Sequence, residues 1–323
     1  MNLFFSIIIP AYNAEKYIDR AVKSVLDQKF NDYELIIVND GSIDKTADII
    51  EEYAKNNKEI KIINHDKNES LHIVRMDGVN NSNGQYILFL DADDYFTNDA
   101  LNILEKEIKK NPDYDFYEFG YIKQPSGKVV FPSFTGGDRF SVSFERDTYP
   151  AYTMWNKVYD SALIKKAFTS LDRIYINNVE DIYESIVVSY FLKKTILISK
   201  KIINYTIGSG VSTIYKDYNK TIEYLNSLKI ILEKINSFLI NKNININMDN
   251  LYYRCLSHAY YYINLQKNTE EKKKLYLLLL DYFDKKTVLE FFFNRENLIL
   301  QSKDYKIGHF LLQPLRKIRS ILG

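Results

Sequence analysis

The chain has 323 residues, 46% of them hydrophobic and 26% charged, which is enough apolar side chain for one large or two ordinary globular cores and excludes a disordered or fibrous protein. Its 43 lysines and arginines almost cancel its 42 aspartates and glutamates, so no nucleic acid is expected as a partner and any electrostatic function must be local. The single cysteine, Cys255, excludes an intramolecular disulfide and fits a reducing compartment, and its setting in LYYRCLSHAYYYI suits a buried, inert thiol.

The N-terminal MNLFFSIIIP has no positive segment, and its apolar run stops at Pro10, too early for a signal peptide or a membrane span; a cytoplasmic protein is expected. Residues 3 to 113 alternate short β-branched runs with helix-length segments. The spacing predicts a strand over 4–9, a helix over 15–28, a strand over 33–38, a helix over 44–56 and a strand over 60–63. A less regular segment follows, then a strand over 86–90 and a helix over 100–110. Continuous apolar strands separated by helices predict an α/β fold, a Rossmann-like parallel sheet covered on both faces. From 114 to 213 the pattern loosens, with a hairpin at Pro125, Ser126 and Gly127, a helix after Ser161 and another beginning near Asn178. From 214 to 323 leucine, isoleucine, tyrosine and lysine recur at helical spacing, which predicts a helical C-terminal subdomain. Tyr252, Tyr253 and Tyr260 to Tyr262 fall on several helical faces and are explained by packing.

In an open parallel sheet, ligands bind at the carboxyl ends of the strands. The residues there are Pro10-Ala11-Tyr12-Asn13, Asn39-Asp40-Gly41-Ser42 and Asp91-Ala92-Asp93-Asp94, three clusters on one rim. Neither GxGxxG after the first strand nor GxxxxGK is present, which weighs against a dinucleotide dehydrogenase and a P-loop nucleotidase. Tyr12 offers an aromatic face for a base, and Asp40 an acceptor for a base N–H. The third cluster offers hard oxygen ligands suited to Mg2+ or Mn2+, and such a cation is what lets acids face a diphosphate.

SIIIPAYNAEKYI, ELIIVNDGSIDKT and GQYILFLDADDYF, in this order and spacing, resemble the inverting family 2 glycosyltransferases of bacteria, which have the GT-A fold. The resemblance continues through TMWNKVY, NNVEDIYES and IINYTIGSGVST, to about residue 213. It implies a nucleotide-sugar-binding half over 1–113 and an acceptor-binding, catalytic-base half over 114–213. It implies that Pro10, Tyr12, Asp40, Asp91 and Ala92 bind the nucleotide, with Asp91 at the ribose, and that Asp93 holds a divalent metal, Mn2+ or Mg2+. It implies Asp181 as the catalytic base, with Glu180 and Trp155 on the acceptor side. Arg75 falls where the family has an arginine near the nucleotide, but Ser70 and Met76 stand where glycine and asparagine are usual. TMWNKVY, ALIKKAF and NNVED look most like surface-glycan β-1,3-galactosyltransferases, so the implied reaction moves galactose from a UDP-sugar to an oligosaccharide or lipid-linked glycan in lipo-oligosaccharide or capsule synthesis. UDP-GlcNAc, UDP-GalNAc and UDP-glucose are alternative donors, and a non-catalytic sugar-nucleotide-binding module is the alternative from another class.

Competing readings stand beside these. Asn178, Glu180 and Asp181 can cap a helix. Asp40-Gly41 can be a turn, with Asp44 capping the next helix. Trp155 can be core, Asp94 a supporting acid and His72 a packing residue. Residues 306–323, KIGHFLLQPLRKIRSILG, place Leu311, Leu315, Ile318 and Leu322 on one stripe beside basic side chains, which suits either an anionic membrane surface or a packed helix.

Overall fold

The protein is described from a computed structural model, in residues 3–132, 138–145, 152–208, 217–283 and 288. The N-terminal part runs β1 (Phe5–Ala11), α1 (Ile18–Leu26), β2 (Tyr33–Asn39), α2 (Thr46–Asn56), β3 (Ile60–Asn64), α3 (Leu71–Asn80), β4 (Tyr86–Phe89), β5 (Tyr95–Phe96) and α4 (Ala100–Lys110). It continues through β6 (Phe116–Gln124), β7 (Lys128–Val130), α5 (Arg139–Val142), β8 (Lys157–Asp160), α6 (Ser161–Phe168), α7 (Glu180–Phe191) and β9 (Thr195–Thr206). Three helices follow, α8 (Tyr218–Asn241), α9 (Asp249–Leu265) and α10 (Thr269–Tyr282).

All the described strands join one sheet in the order β3-β2-β1-β4-β8-β6-β9-β5, with β7 hairpinned onto β6. β3, β2, β1 and β4 are parallel, as their apolar runs predict. β8 then pairs antiparallel with β4, Ile87 opposite Tyr159, so the sheet is mixed rather than parallel throughout. The chain steps from β1 outward to β3 and returns to the other side of β1 for β4. The crevice of this switch point therefore opens beyond the carboxyl ends of β1 and β4, where Tyr12 and the acids of 91–94 lie.

Alternation along the strands sorts their side chains to the two faces. Ile7, Ile9, Leu35, Ile37 and Leu88 join the core formed with α1 and α4, whose Val22, Val25, Leu101 and Leu104 are buried against them. Ile8 and Phe89 point the other way. Phe89 stacks on Phe168 of α6 at 6.4 Å, and Ile8 meets α3.

α3 is the element that the sequence pattern missed. His72, Ile73, Val74, Arg75, Met76, Gly78 and Val79 are all buried, so the helix is covered around its circumference and has no polar stripe to mark its period. Gly78 lets it lie close to the sheet, because a Cβ there would stand 2.4 Å from Ile8 Cγ2.

By compactness the chain divides into two units, one of residues 1–214 and 230–248 and one of 215–229 and 249–323. In the second, Tyr224 packs edge-on against Tyr262 at 4.7 Å, Gln266 Nε2 donates to Thr221 Oγ1 at 2.8 Å and Tyr260 is buried, while Tyr261 is exposed. Cys255 is buried there, and burial pushes its thiol up to about 12, as suits an inert residue. The basic stripe of 306–323 lies outside the described residues. No described helix is long and apolar enough to cross a membrane.

Gly78→Val should lower unfolding free energy by about 2 kcal/mol through overpacking against β1, and Ile8→Ala in the same chain should recover part of that loss. Urea denaturation of the two single variants and the double variant checks this; purely additive losses would show that α3 does not press on Ile8.

Candidate active site

Side chains lace the first two rim clusters together. Asn13 N donates to Ser42 Oγ and Ile43 N to Asn13 Oδ1, both at 3.0 Å, and Ala14 N reaches Thr46 Oγ1 at 2.7 Å. Asp44 accepts from Thr46 N at 3.0 Å, the local capping role its position suggests, and also from Glu15 N at 3.1 Å. Tyr12, half exposed, presents its ring on this rim beyond Pro10.

Asp40 is placed differently from the open acceptor its position suggests. It is buried, and its carboxylate accepts from Glu69 N at 2.8 Å and Ser70 N at 3.1 Å and faces His65 Nδ1 at 2.8 Å. Three of about four acceptor positions are filled, which leaves one for a ligand N–H. Gly41 makes the turn possible with φ +65°, and a Cβ there would lie 2.4 Å from the Lys67 carbonyl carbon. Beyond His65 the chain of contacts continues through Asp77 Oδ2 at 3.0 Å to Arg173, which pairs with Asp77 at 2.6 Å and Glu69 at 3.0 Å. His65, Glu69 and Asp77 lie close enough together to suggest a cation site, but Arg173 already meets the charge of both acids.

At the end of β4, Asp91, Asp93 and Asp94 bring carboxylate oxygens within 4.8 Å of one another. Asp94 Oδ1 accepts from Thr206 N at 2.7 Å, while its buried Oδ2 has no hydrogen-bond partner. Burial, then the neighbouring acids, push Asp94 up to about 9. Burial also pushes Asp91 up to about 7, with Arg75 opposing. Crowded acids with one orphaned oxygen fit a hard divalent cation, which would relieve both the desolvation and the mutual repulsion. Arg20 of α1 braces this turn, donating to the Asp93 carbonyl at 2.6 Å and to Thr206 Oγ1 at 2.9 Å over the Tyr95 ring.

Across the crevice, α7 begins at Glu180. Its N-cap, Val179, makes no side-chain capping bond, and Asp181 turns instead to Arg75, whose Nη1 donates to Asp181 Oδ1 at 2.5 Å. Glu180 and Asp181 both stand in the first turn of α7, so Asp181 opposes the helix dipole as well as pairing with Arg75. Arg75 is buried and also reaches Glu184 Oε2 at 2.8 Å and Glu180 Oε1 at 3.4 Å, with its guanidinium 5.8 Å from the Phe89 ring. It faces the acids of α7, and the charge of Asp91 also acts on it. Burial pushes Glu180 up to about 8, so near neutral pH it is largely protonated. Burial raises Asp181 too, with Arg75 opposing it most, and leaves a carboxylate of raised basicity with a side chain 31% exposed.

Trp155 is buried in the sheet core, stacked at 5.0 Å on Tyr205 and edge-on to Tyr121 at 4.8 Å. Ala92 packs partly against the same core. Beside Trp155, burial pushes Lys157 down to about 8; its ammonium lies 3.4 Å from Glu118 and acts on Asp181 through space.

Both helices that carry this network start on strained backbone. Ser70, the N-cap of α3, has φ +88° and ψ +153°, a region natural to glycine, and Val179 has φ +61°. Ser70 earns part of this back by accepting from Ile176 N at 3.3 Å. Arg20, His65, His72, Lys157, Arg173 and Glu184 were not assigned to the site from sequence. Glu184 could have been found from its three-residue spacing from Asp181 on one helical face, but His72 could not while α3 went unrecognised.

The chain belongs to glycosyl transferase family 2, whose model matches residues 6–169. The sheet with its acid rim is that family's α/β fold. Among its relatives, the uncharacterized glycosyltransferase EpsJ of Bacillus subtilis (strain 168) is 38% identical over 126 residues, 39% of this chain and 36% of EpsJ. The cholesterol galactosyltransferase of Borreliella burgdorferi (strain ATCC 35210 / DSM 4680 / CIP 102532 / B31) is 26% identical over 298 residues, 87% of this chain and 78% of that protein. Residues 1–349 of S. aureus TarS share the fold with a TM-score of 0.56 at 18% identity, over 90% of this chain and 91% of that one. That TarS fragment has also been solved with UDP and with UDP-GlcNAc. The match spans less than two thirds of several of the curated relatives.

Two results follow from this geometry. Ser70→Gly should be more stable than Ser70→Ala by about 1 kcal/mol, since both lose the hydroxyl and only alanine keeps the strain; equal melting temperatures would show a relaxed backbone at 70. In the folded chain Asp91 and Asp94 keep protons to about 7 and about 9, against an ordinary 3.8. The folded state therefore binds more protons than the unfolded one, and without cation stability is lost as pH rises through these values. With a chelator, thermal melting should fall from about pH 6 to 9, Mn2+ should raise it most at the alkaline end, and Asp94→Asn should flatten the slope. An unchanged slope in Asp94→Asn would remove that residue as its source.

Proposed function

We propose that this glycosyltransferase is inverting and metal-dependent, and that it moves galactose from UDP-galactose in β-1,3 linkage onto an oligosaccharide or lipid-linked glycan of a bacterial lipo-oligosaccharide or capsule. The observation that carries the mechanism is the meeting of two acidic groups across one buried cation: Asp91, beside Asp93 and Asp94 on the sheet rim, and Asp181 on α7 both act on Arg75. A donor site and a proton acceptor thus face one crevice.

In this reading Tyr12 flanks the nucleobase, and the remaining acceptor position of Asp40 takes the uracil N–H, which selects uracil over cytosine, whose ring nitrogen there carries no proton. Asp91 accepts from the ribose, with Pro10 and Ala92 shaping the rim beside it. Asp93 and Asp94 would hold Mn2+ or Mg2+, which when bound supplies Lewis-acid stabilisation of the charge growing on the leaving diphosphate. Asp181 takes the proton of the acceptor hydroxyl as the oxygen attacks the anomeric carbon, and its raised basicity suits that task. The C1–O bond to the diphosphate breaks as the new bond forms on the opposite face, so an α-linked donor yields a β product. Glu180, largely protonated, can donate to an acceptor oxygen, and the Trp155–Tyr205 stack forms the wall on that side.

The Borreliella relative, named for galactose transfer, supports galactose as the sugar. UDP-GlcNAc is the second reading, favoured by the TarS complex with that donor. For the acceptor, residues 306–323 could draw the enzyme to an anionic, lipid-linked substrate.

Asp181→Asn should lower kcat by about 100- to 10,000-fold while UDP and Mn2+ bind as in the wild type. UDP release from UDP-galactose and UDP-GlcNAc, with calorimetry of the variant, tests both parts. Normal turnover by the variant would exclude Asp181 as base, and faster wild-type release from UDP-GlcNAc would overturn galactose.

A further inference from the structure

His72 and Arg75 lie three residues apart on α3, and Asp181 and Glu184 three apart on α7, so each pair occupies one helical face. The two faces meet. Arg75 Nη1 bridges Asp181 Oδ1 and Glu184 Oε2, and the other Glu184 oxygen, Oε1, lies 2.8 Å from His72 Nδ1. His72 Nε2 lies 2.9 Å from the backbone carbonyl oxygen of Asp172. That oxygen has no proton to give, so Nε2 donates, and the carboxylate facing Nδ1 is best met by a second N–H. The ring is fully buried, with Tyr183 5.8 Å away as its aromatic neighbour.

We infer that His72 is a positioning residue for glycosyl transfer: as a buried imidazolium it shares the charge of Glu184 with Arg75, and so keeps Arg75 available to hold Asp181 ionised and in place. The inference rests on the reading of Asp181 as the base.

The charges around the relay agree with this arrangement. Burial and, less strongly, the charge of Arg75 work against a protonated His72, but its hydrogen bond to Glu184, that residue's charge and the Asp172 carbonyl outweigh them, and the ring holds its proton above the ordinary range. Burial likewise opposes an ionised Glu184, and Arg75 and His72 together outweigh it. Asp181 is faced by Arg75 and Lys157, which favour its ionised form, and by Glu184, which opposes it; Glu180 and Asp91 lie in the same field. With a neutral side chain at position 72, the charge of Glu184 would fall on Arg75 and Asp181 alone. Arg75 would be drawn to Glu184, and Asp181 would bind its proton more tightly.

The test compares the pH dependence of kcat in His72→Gln and the wild type at saturating donor and acceptor. The acid limb should move up by about half to one pH unit in His72→Gln, with the donor KM changed less than about twofold. In a Glu184→Gln background the same substitution should move the limb no further. A fall in kcat with an unmoved limb, or a rise in donor KM alone, would overturn the inference. A second measurement needs no folded variant at position 72. In the nitrogen-resolved imidazole spectrum of the wild-type protein, which has four histidines, both ring nitrogens of His72 should carry protons at about pH 7.5. A neutral ring there would overturn the inference whatever the variants do. Full transfer by Asp181→Asn would instead remove the base reading, a failure that the ring spectrum does not share.

Discussion

The site depends on one buried guanidinium. Arg75 is among the largest fully buried side chains, and desolvating such a charge costs several kcal/mol unless counter-charges are close and well placed. α7 supplies them in a single turn, Asp181 and Glu184, with the largely protonated Glu180 beside them. The pairing adds little net stability compared with an apolar contact, but removal of one partner would leave the others uncompensated, at about 3 to 5 kcal/mol. Its effect is therefore mainly positional. It fixes the distance between α3, packed on the parallel half of the sheet, and α7, and it ties the protonation of Asp91 to that of Asp181.

Much of this was legible in the sequence, for physical reasons that differ from element to element. β1, β2 and β4 are buried on both faces and so read as unbroken apolar runs, and acids placed directly after such strands can only stand on the rim. α1 and α4 bury one side and show it as a stripe. α3 buries every side, so neither its helix nor the shared face of His72 and Arg75 could be read. The mixed half of the sheet was harder still. β6 and β9 pair along their lengths, from Phe116 opposite Thr195 to Gln124 opposite Thr206, and a register of that separation leaves no mark in local periodicity. The rim residues themselves were legible, but their surroundings were not. Asp40 proved to be buried under the 65–70 segment, and Trp155 sits within an aromatic stack.

Two opposite electrostatic solutions operate within one crevice. Around Arg75 the protein supplies both signs of charge and satisfies the acids internally. At the end of β4 three acids crowd together with Arg20 and Arg75 only partly offsetting them, and an oxygen of Asp94 is left without a partner. Neither arrangement is fully satisfied, since Arg75 Nε is also buried without a hydrogen-bond partner, but the first balances its charges within the protein and the second gathers acids. The strained N-caps at Ser70 and Val179 lie where these two arrangements are held in position, one before each helix of the network.

The Arg75–Asp181 contact joins residues 106 apart in the chain. During synthesis, β1 through α4 leave the ribosome while α7 is still to be made, and through that interval Arg75 and His72 lack the acids of α7 to bury against. The face of α3 that later carries the relay must then remain hydrated, so the sheet's first half cannot close over it. Closure of this long loop brings α3 and α7 to their final packing. Cutting the chain near residue 113 would accordingly leave a sheet whose α3 face lacks the acids of α7.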